Sequence, residues 1–116
     1  MRILGIGVDI ILNNRIKRLI KNKDFIKRTF GKKEIETSRK IYNRVNFFAK
    51  RFAAKEAFSK ALGTGISKGI NFNQIVVLNE KNGKPFIKLI ENTKKNVEKK
   101  LKNKKYKISL SLTDED

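Results

Sequence analysis

At 116 residues the chain has the length of one domain, and no repeat, linker or low-complexity boundary divides residues 1–116. Having neither cysteine nor histidine, it is excluded from disulfide frameworks, thiolate chemistry, histidine-based zinc sites and Ser-His-Asp triads, so acid–base work falls to carboxylates, lysine, tyrosine or metal-bound water. The net charge of +18 suits an anionic partner, but 22 of the 29 basic residues are lysine in a chain also rich in isoleucine and asparagine, a compositional bias that gives the same excess without any ligand.

Residues 2–11, RILGIGVDII, alternate as a strand does: Ile6, Val8 and Ile10 face one way, and Gly5, Gly7 and Asp9 the other. This segment holds an aspartate and two glycines and lacks a small-residue cleavage site, so it reads as a strand rather than a signal sequence. No apolar run reaches the roughly 20 residues that span a bilayer, and a cytoplasmic location without membrane contact is expected. Asn13 or Asn14 then caps one helix through about Phe30, on which Ile16, Leu19, Ile20 and Ile26 keep helical spacing, and Gly31 ends it. A shorter helical piece covers residues 32–42.

The run from Val45 to Leu62 is a longer helix whose apolar stripe, Val45, Phe48, Ala49 and Phe52, also contains Glu56. An unpaired buried carboxylate costs several kcal/mol, so Glu56 either escapes at an edge or has a positive partner. After GTGISKG, QIVVLNE and PFIKLI read as strands joined by KNGK, an Asn-Gly hairpin signal. ENTKKNVEKKLK is a lysine-rich surface helix anchored by Val97 and Leu101, and YKISLSLT is a last strand. The architecture expected from this order is α+β, helices packed on a mainly antiparallel sheet.

Of the eight acidic residues that precede the last three positions, Asp9 and Glu56 lie in apolar sequence. Converging, they would make a hard-oxygen site for Mg²⁺, which typically takes one or two carboxylates and completes its shell with waters and phosphates. The residues alone leave two structural alternatives open: Asp9 bonding turn amides, and Glu56 pairing with Lys60 four positions on. Gly63 and Gly65 of GTG allow backbone N–H groups to approach a phosphate, though a glycine cap ends helices in the same way. The segment is not a Walker loop, because it trails a helix and lacks GK[ST].

Taken together, GIGVDI, Arg15-Ile16, FAKRFAAKEAFSKALGTGI and the GKP of the hairpin, in this order and at these separations, resemble the holo-acyl-carrier-protein synthase family of 4'-phosphopantetheinyl transferases over essentially the whole chain. The resemblance implies that fold, and Mg²⁺-dependent transfer of phosphopantetheine from coenzyme A, the co-substrate, to a serine of an acyl carrier protein, with release of 3',5'-ADP, as a step serving fatty acid biosynthesis. It implies Asp9 and Glu56 as metal ligands and Lys60 facing the coenzyme A phosphates, these three forming the catalytic set. Arg51 falls at the family's contact to the 3'-phosphate, Gly63, Gly65 and Pro85 at positions lining the adenosine and diphosphate, and Arg15 at a contact to the acidic carrier protein. The serine proton leaves through Glu56 or a metal-bound water, the latter favoured because a carboxylate on Mg²⁺ is a poor base.

Two departures stand out. Leu12 occupies the place of a glutamate common in the family, which removes a local partner for Arg15. Members also usually continue past the SLTDED segment into one more apolar strand, so a weaker sheet or a weaker assembly is expected. The family is generally homotrimeric with sites between subunits, and a homotrimer is expected here. The competing readings are a basic nucleic-acid-binding module, which would need exposed aromatics among its lysines, and an inactive relative that binds coenzyme A. Core spacing of the phenylalanines argues against nucleic acid.

Overall fold

The computed structural model describes residues 12–62 and 69–100. In chain order these form helix α1 (12–19), α2 (Lys23–Thr29), α3 (Lys32–Ser38), α4 (Arg44–Leu62), a 3-10 turn (Phe72–Gln74), strands β1 (Ile75–Asn79) and β2 (Pro85–Leu89), and α5 (Glu91–Lys100). The two strands pair antiparallel, with Ile75 opposite Leu89, Val77 opposite Ile87 and Asn79 opposite Pro85. This is the expected α+β arrangement. The expected strands at residues 2–11 and in YKISLSLT, and the anchor at Leu101, lie outside the described residues.

The single helix expected from Asn13 to Phe30 is instead two. Its break lies at residues 20–22, where Asn22 N bonds Leu19 O at 3.0 Å in a tightened last turn of α1. The Asn22 side chain then accepts from the amides of Asp24 and Phe25 at 2.8 and 3.2 Å, capping α2. Asn13 and Asn14 lie within helical residues rather than before them. The helical piece expected over 32–42 ends at Ser38, followed by a turn. Asn43 starts α4 by accepting from the amide of Asn46 at 3.1 Å.

The core is aromatic. Phe30 and Phe48 lie with ring centroids 4.5 Å apart, Phe48 meets Phe47 edge-on at 5.5 Å, and Phe52 meets Phe72 edge-on at 5.7 Å, a geometry that suits ring quadrupoles. Ile16 of α1, Ile75 of β1, Leu89 of β2 and Val97 of α5 close around these rings. At the foot of α3, a Cβ on Gly31 would meet Asn73 O and Val76 Cγ2, both at 3.1 Å, so the missing side chain lets this helix start directly against β1. Gly83, at φ +89°, turns the hairpin as the Asn-Gly signal predicts. The polar hinge of α5 is Thr93, fully buried, whose hydroxyl accepts from Asn71 N and donates to Gln74 Oε1, each at 2.8 Å.

Candidate active site

Helix α4 buries Phe48, Ala49 and Phe52 of the expected stripe, but its inward face extends further, to Phe47, Arg51, Lys55 and Ser59, rather than to Val45 and Glu56. Phe48, Phe52, Lys55 and Ser59 run along the buried seam, with Phe47, Arg51 and Ala54 beside it, while Val45 and Glu56 are only half-buried at its margin. The α4 side chain that carries its charge fully inside is therefore Lys55 rather than Glu56. Its ammonium donates to Glu34 Oε1 at 2.6 Å and to Phe72 O at 2.8 Å, both side chains having no exposure. Glu34 also accepts from Gly31 N at 2.9 Å, closing the first turn of α3, and from Val77 N at 3.0 Å on β1. One carboxylate thus joins α3, α4 and β1, with both of its oxygens and the Lys55 ammonium hydrogen-bonded, the condition under which a buried ion pair is tolerated. Burial pulls the Lys55 pKa down to about 8, against the opposing pull of Glu34 and with a further lowering from the neighbouring Arg51 charge.

One turn earlier lies Arg51, 7% exposed. Its guanidinium carbon stacks 3.7 Å from the centroid of Phe47. Nη2 donates to Asn79 Oδ1 at 2.9 Å and Nη1 makes a long contact to Phe47 O at 3.5 Å, while the buried Nε has no partner among the described residues. Burial lowers the Arg51 pKa, and Glu34 opposes that shift. Asn79 in turn donates from Nδ2 to Gly83 O at 2.9 Å, and Pro85, half-buried, pairs with Asn79 in the strand register. The structure so brings together Arg51 and the GKP hairpin, two of the sequence-expected cofactor-binding elements.

Glu56 and Lys60 form a second group. They are separated by about 40° around α4 at roughly 100° per residue, with Glu56 half-buried and Lys60 exposed. The alternative in which these two neutralise each other is not realised, since no Glu56–Lys60 bond forms; nor does Glu56 bond any other described residue. Arg15 on α1 is exposed and places its guanidinium carbon 5.3 Å from the centroid of Phe52. Asp9, Gly63 and Gly65 lie outside the described residues, and so does the expected convergence of Asp9 with Glu56. Sequence reasoning missed Glu34, Lys55 and Asn79. A signal existed for Glu34: it stands three residues after Gly31, where a glutamate reaches back to the cap amide.

The sequence model of the 4'-phosphopantetheinyl transferase superfamily matches residues 5–111, and the chain belongs to that superfamily. Within it, the chain is 50% identical over 115 residues to the holo-[acyl-carrier-protein] synthase of Pelagibacter ubique (strain HTCC1062), a match covering 99% of this chain and 90% of that protein. It is 49% identical over 118 residues to the holo-[acyl-carrier-protein] synthase of Ehrlichia chaffeensis, covering 97% and 88%. Among solved structures it is similar to the holo-[acyl-carrier-protein] synthase from Neisseria meningitidis, with a TM-score of 0.69 and 37% identity, covering 75% of this chain and 71% of that one. The Plasmodium yoelii acyl carrier protein synthase with ADP bound matches at a TM-score of 0.59 and 38% identity, over 76% and 69%.

Proposed function

We propose that this enzyme transfers 4'-phosphopantetheine from coenzyme A to a serine hydroxyl of an apo acyl carrier protein, releasing 3',5'-ADP, in the cytoplasm. The observation that carries this reading is the half identity over nearly the full length to a holo-[acyl-carrier-protein] synthase. The local chemistry agrees. Glu56 offers a half-buried carboxylate that bonds no other described residue, and such an oxygen donor suits Mg²⁺, with Asp9 as the second ligand. Held there, Mg²⁺ would supply positive charge to the diphosphate and acidify a coordinated water. Lys60, exposed one turn beyond Glu56, presents its ammonium on the same side of α4, where a diphosphate losing its bond gathers charge. With no histidine or cysteine in the chain, Glu56 or a water that Mg²⁺ would coordinate is left to receive the serine proton, and the water is favoured because a carboxylate on Mg²⁺ would be a poor base.

The homotrimer that the family resemblance implies, with sites shared between subunits, is part of this reading, and helix geometry is compatible with shared sites. Arg51 and Lys60 are nine positions apart, so they point to opposite sides of α4, about 180° around and about 13 Å along it. One copy of α4 can then give Glu56 and Lys60 to one site and Arg51 to another. A nucleic-acid module would interleave exposed rings with its lysines, whereas among the described residues the only exposed rings are Tyr42 and Phe86, far apart in sequence, and the other phenylalanines are buried or half-buried. Intact-mass measurement of an apo carrier protein incubated with the enzyme, coenzyme A and Mg²⁺ tests the transfer. A gain of one phosphopantetheine on serine is expected, and an unchanged mass overturns the reading.

A further inference from the structure

We propose that Asn79 is a positioning residue that fixes the Arg51 guanidinium against the hairpin turn and, by doing so with a neutral group, keeps its positive charge available to the 3'-phosphate of coenzyme A. The inference rests on the reading of Arg51 as the 3'-phosphate contact. Asn79 bridges two elements through one amide: its oxygen accepts from Arg51 Nη2 at 2.9 Å, and its nitrogen donates to Gly83 O at 2.9 Å. The guanidinium is thereby tied to α4 by stacking on Phe47 and to the hairpin by Asn79. Two of its contacts are fixed, yet no carboxylate bonds it among the described residues, and its buried Nε still lacks an acceptor. Aspartate at position 79 would hold the guanidinium more strongly but would cancel its charge, whereas asparagine orients without cancelling. A planar fork with fixed orientation loses less entropy on meeting a phosphate than a free arginine does.

The test is equilibrium binding of coenzyme A and of 3'-dephospho-coenzyme A to the full-length enzyme and to Asn79→Ala, Asn79→Asp and Arg51→Ala, with the melting temperature and kinetic constants of each. The wild-type enzyme should prefer coenzyme A by about 10- to 100-fold, the range of one charge-assisted contact. Asn79→Ala should reduce that preference by about tenfold or more, through KM rather than kcat, while dephospho-coenzyme A binding changes little. Asn79→Asp, which keeps an acceptor for Arg51, should fold even where the alanine variant does not, and should also lose the preference. A purely structural Asn79 predicts the reverse for both: lowered melting with the preference intact in alanine, and an intact preference in aspartate as well, since aspartate keeps the acceptor for Arg51 though it loses the donor to Gly83 O. Either of those results overturns the proposal. If Arg51→Ala keeps the preference, the reading of Arg51 itself fails and the proposal falls with it, a result distinct from one in which only the Asn79 variants keep it.

Discussion

Arg51 and Lys55 are both buried cations, one turn apart on the same helix, and they are balanced in opposite ways. Lys55 faces a carboxylate and a carbonyl inside the core, so its charge is consumed within the protein. Arg51 is held by an aromatic ring, an amide oxygen and a distant carbonyl, all of them neutral. The lesson is that burial alone does not mark a charge as structural or functional; the identity of its partners does. A neutralised cation contributes to the fold, whereas a cation oriented by neutral groups retains an attraction for an anion.

The most severe break of this comparison is Lys55→Met, which leaves Glu34 buried without its cation. A loss of about 3–5 kcal/mol in unfolding free energy is expected in urea titrations, a large share of a small domain's total. Removing both charges in Glu34→Gln with Lys55→Met should cost less than the sum of the single changes, since the two are coupled. Additive losses would mean that the pair acts as two separate groups.

Glu56→Gln, at the very next position on α4, should show the opposite profile. We expect kcat to fall by about 10²–10³-fold, the scale of losing one electrostatic stabiliser, with the melting temperature almost unchanged because Glu56 bonds no other described residue. Lys60→Ala should likewise lower kcat more than it raises KM for coenzyme A if, as proposed, its ammonium faces the reacting phosphates, because such a charge matters most as charge develops. Equal effects on the melting temperature at 55, 56 and 60 would erase the distinction between structural and catalytic charges on this helix.

The sequence made one half of this comparison readable and hid the other. The helix from Val45 to Leu62 follows from apolar periodicity and the hairpin from the Asn-Gly turn, and Glu56 stands out as a candidate because a carboxylate among Phe and Ala is unusual. Lys55 looked like one more surface lysine in a chain that has 22 of them. Glu34 was hidden in KKEIET, where its lysine neighbours suggest a solvated helix, although it is 1% exposed. Their pairing spans 21 residues and depends on how α3 packs across α4 and β1, which helical periodicity does not encode. The break of α1 from α2 was likewise masked, because Ile16, Leu19, Ile20 and Ile26 keep a helical rhythm through a turn that only the Asn22 cap reveals.

Arg51→Ala sits between the two profiles. It should raise KM for coenzyme A by about 10–100-fold, the range of one charge-assisted contact, and also lower stability by about 1–2 kcal/mol, because Asn79 and Phe47 lose their partner. A change in kcat at saturating coenzyme A, with KM constant, would move Arg51 into the catalytic group.

The smallest effect is a proton equilibrium, and it reads the coupling between the two cations directly. Lys55 should titrate near pH 8, below an ordinary lysine, because desolvation of its ammonium outweighs the attraction of Glu34. NMR of its side-chain carbon next to the amine follows this one group among the many lysines. The unfolded chain, with an ordinary lysine pKa near 10.4, binds more protons than the folded one between about pH 8 and that value. This group therefore favours folding increasingly as pH rises through that window, and favours it least below it. The Arg51 charge adds to the lowering, so Arg51→Met should move the Lys55 midpoint upward, whereas Lys60→Ala, on the far side of α4 from Arg51, should leave it in place. A midpoint indifferent to Arg51 would show that the two cations are electrostatically independent, each governed by its own partners alone.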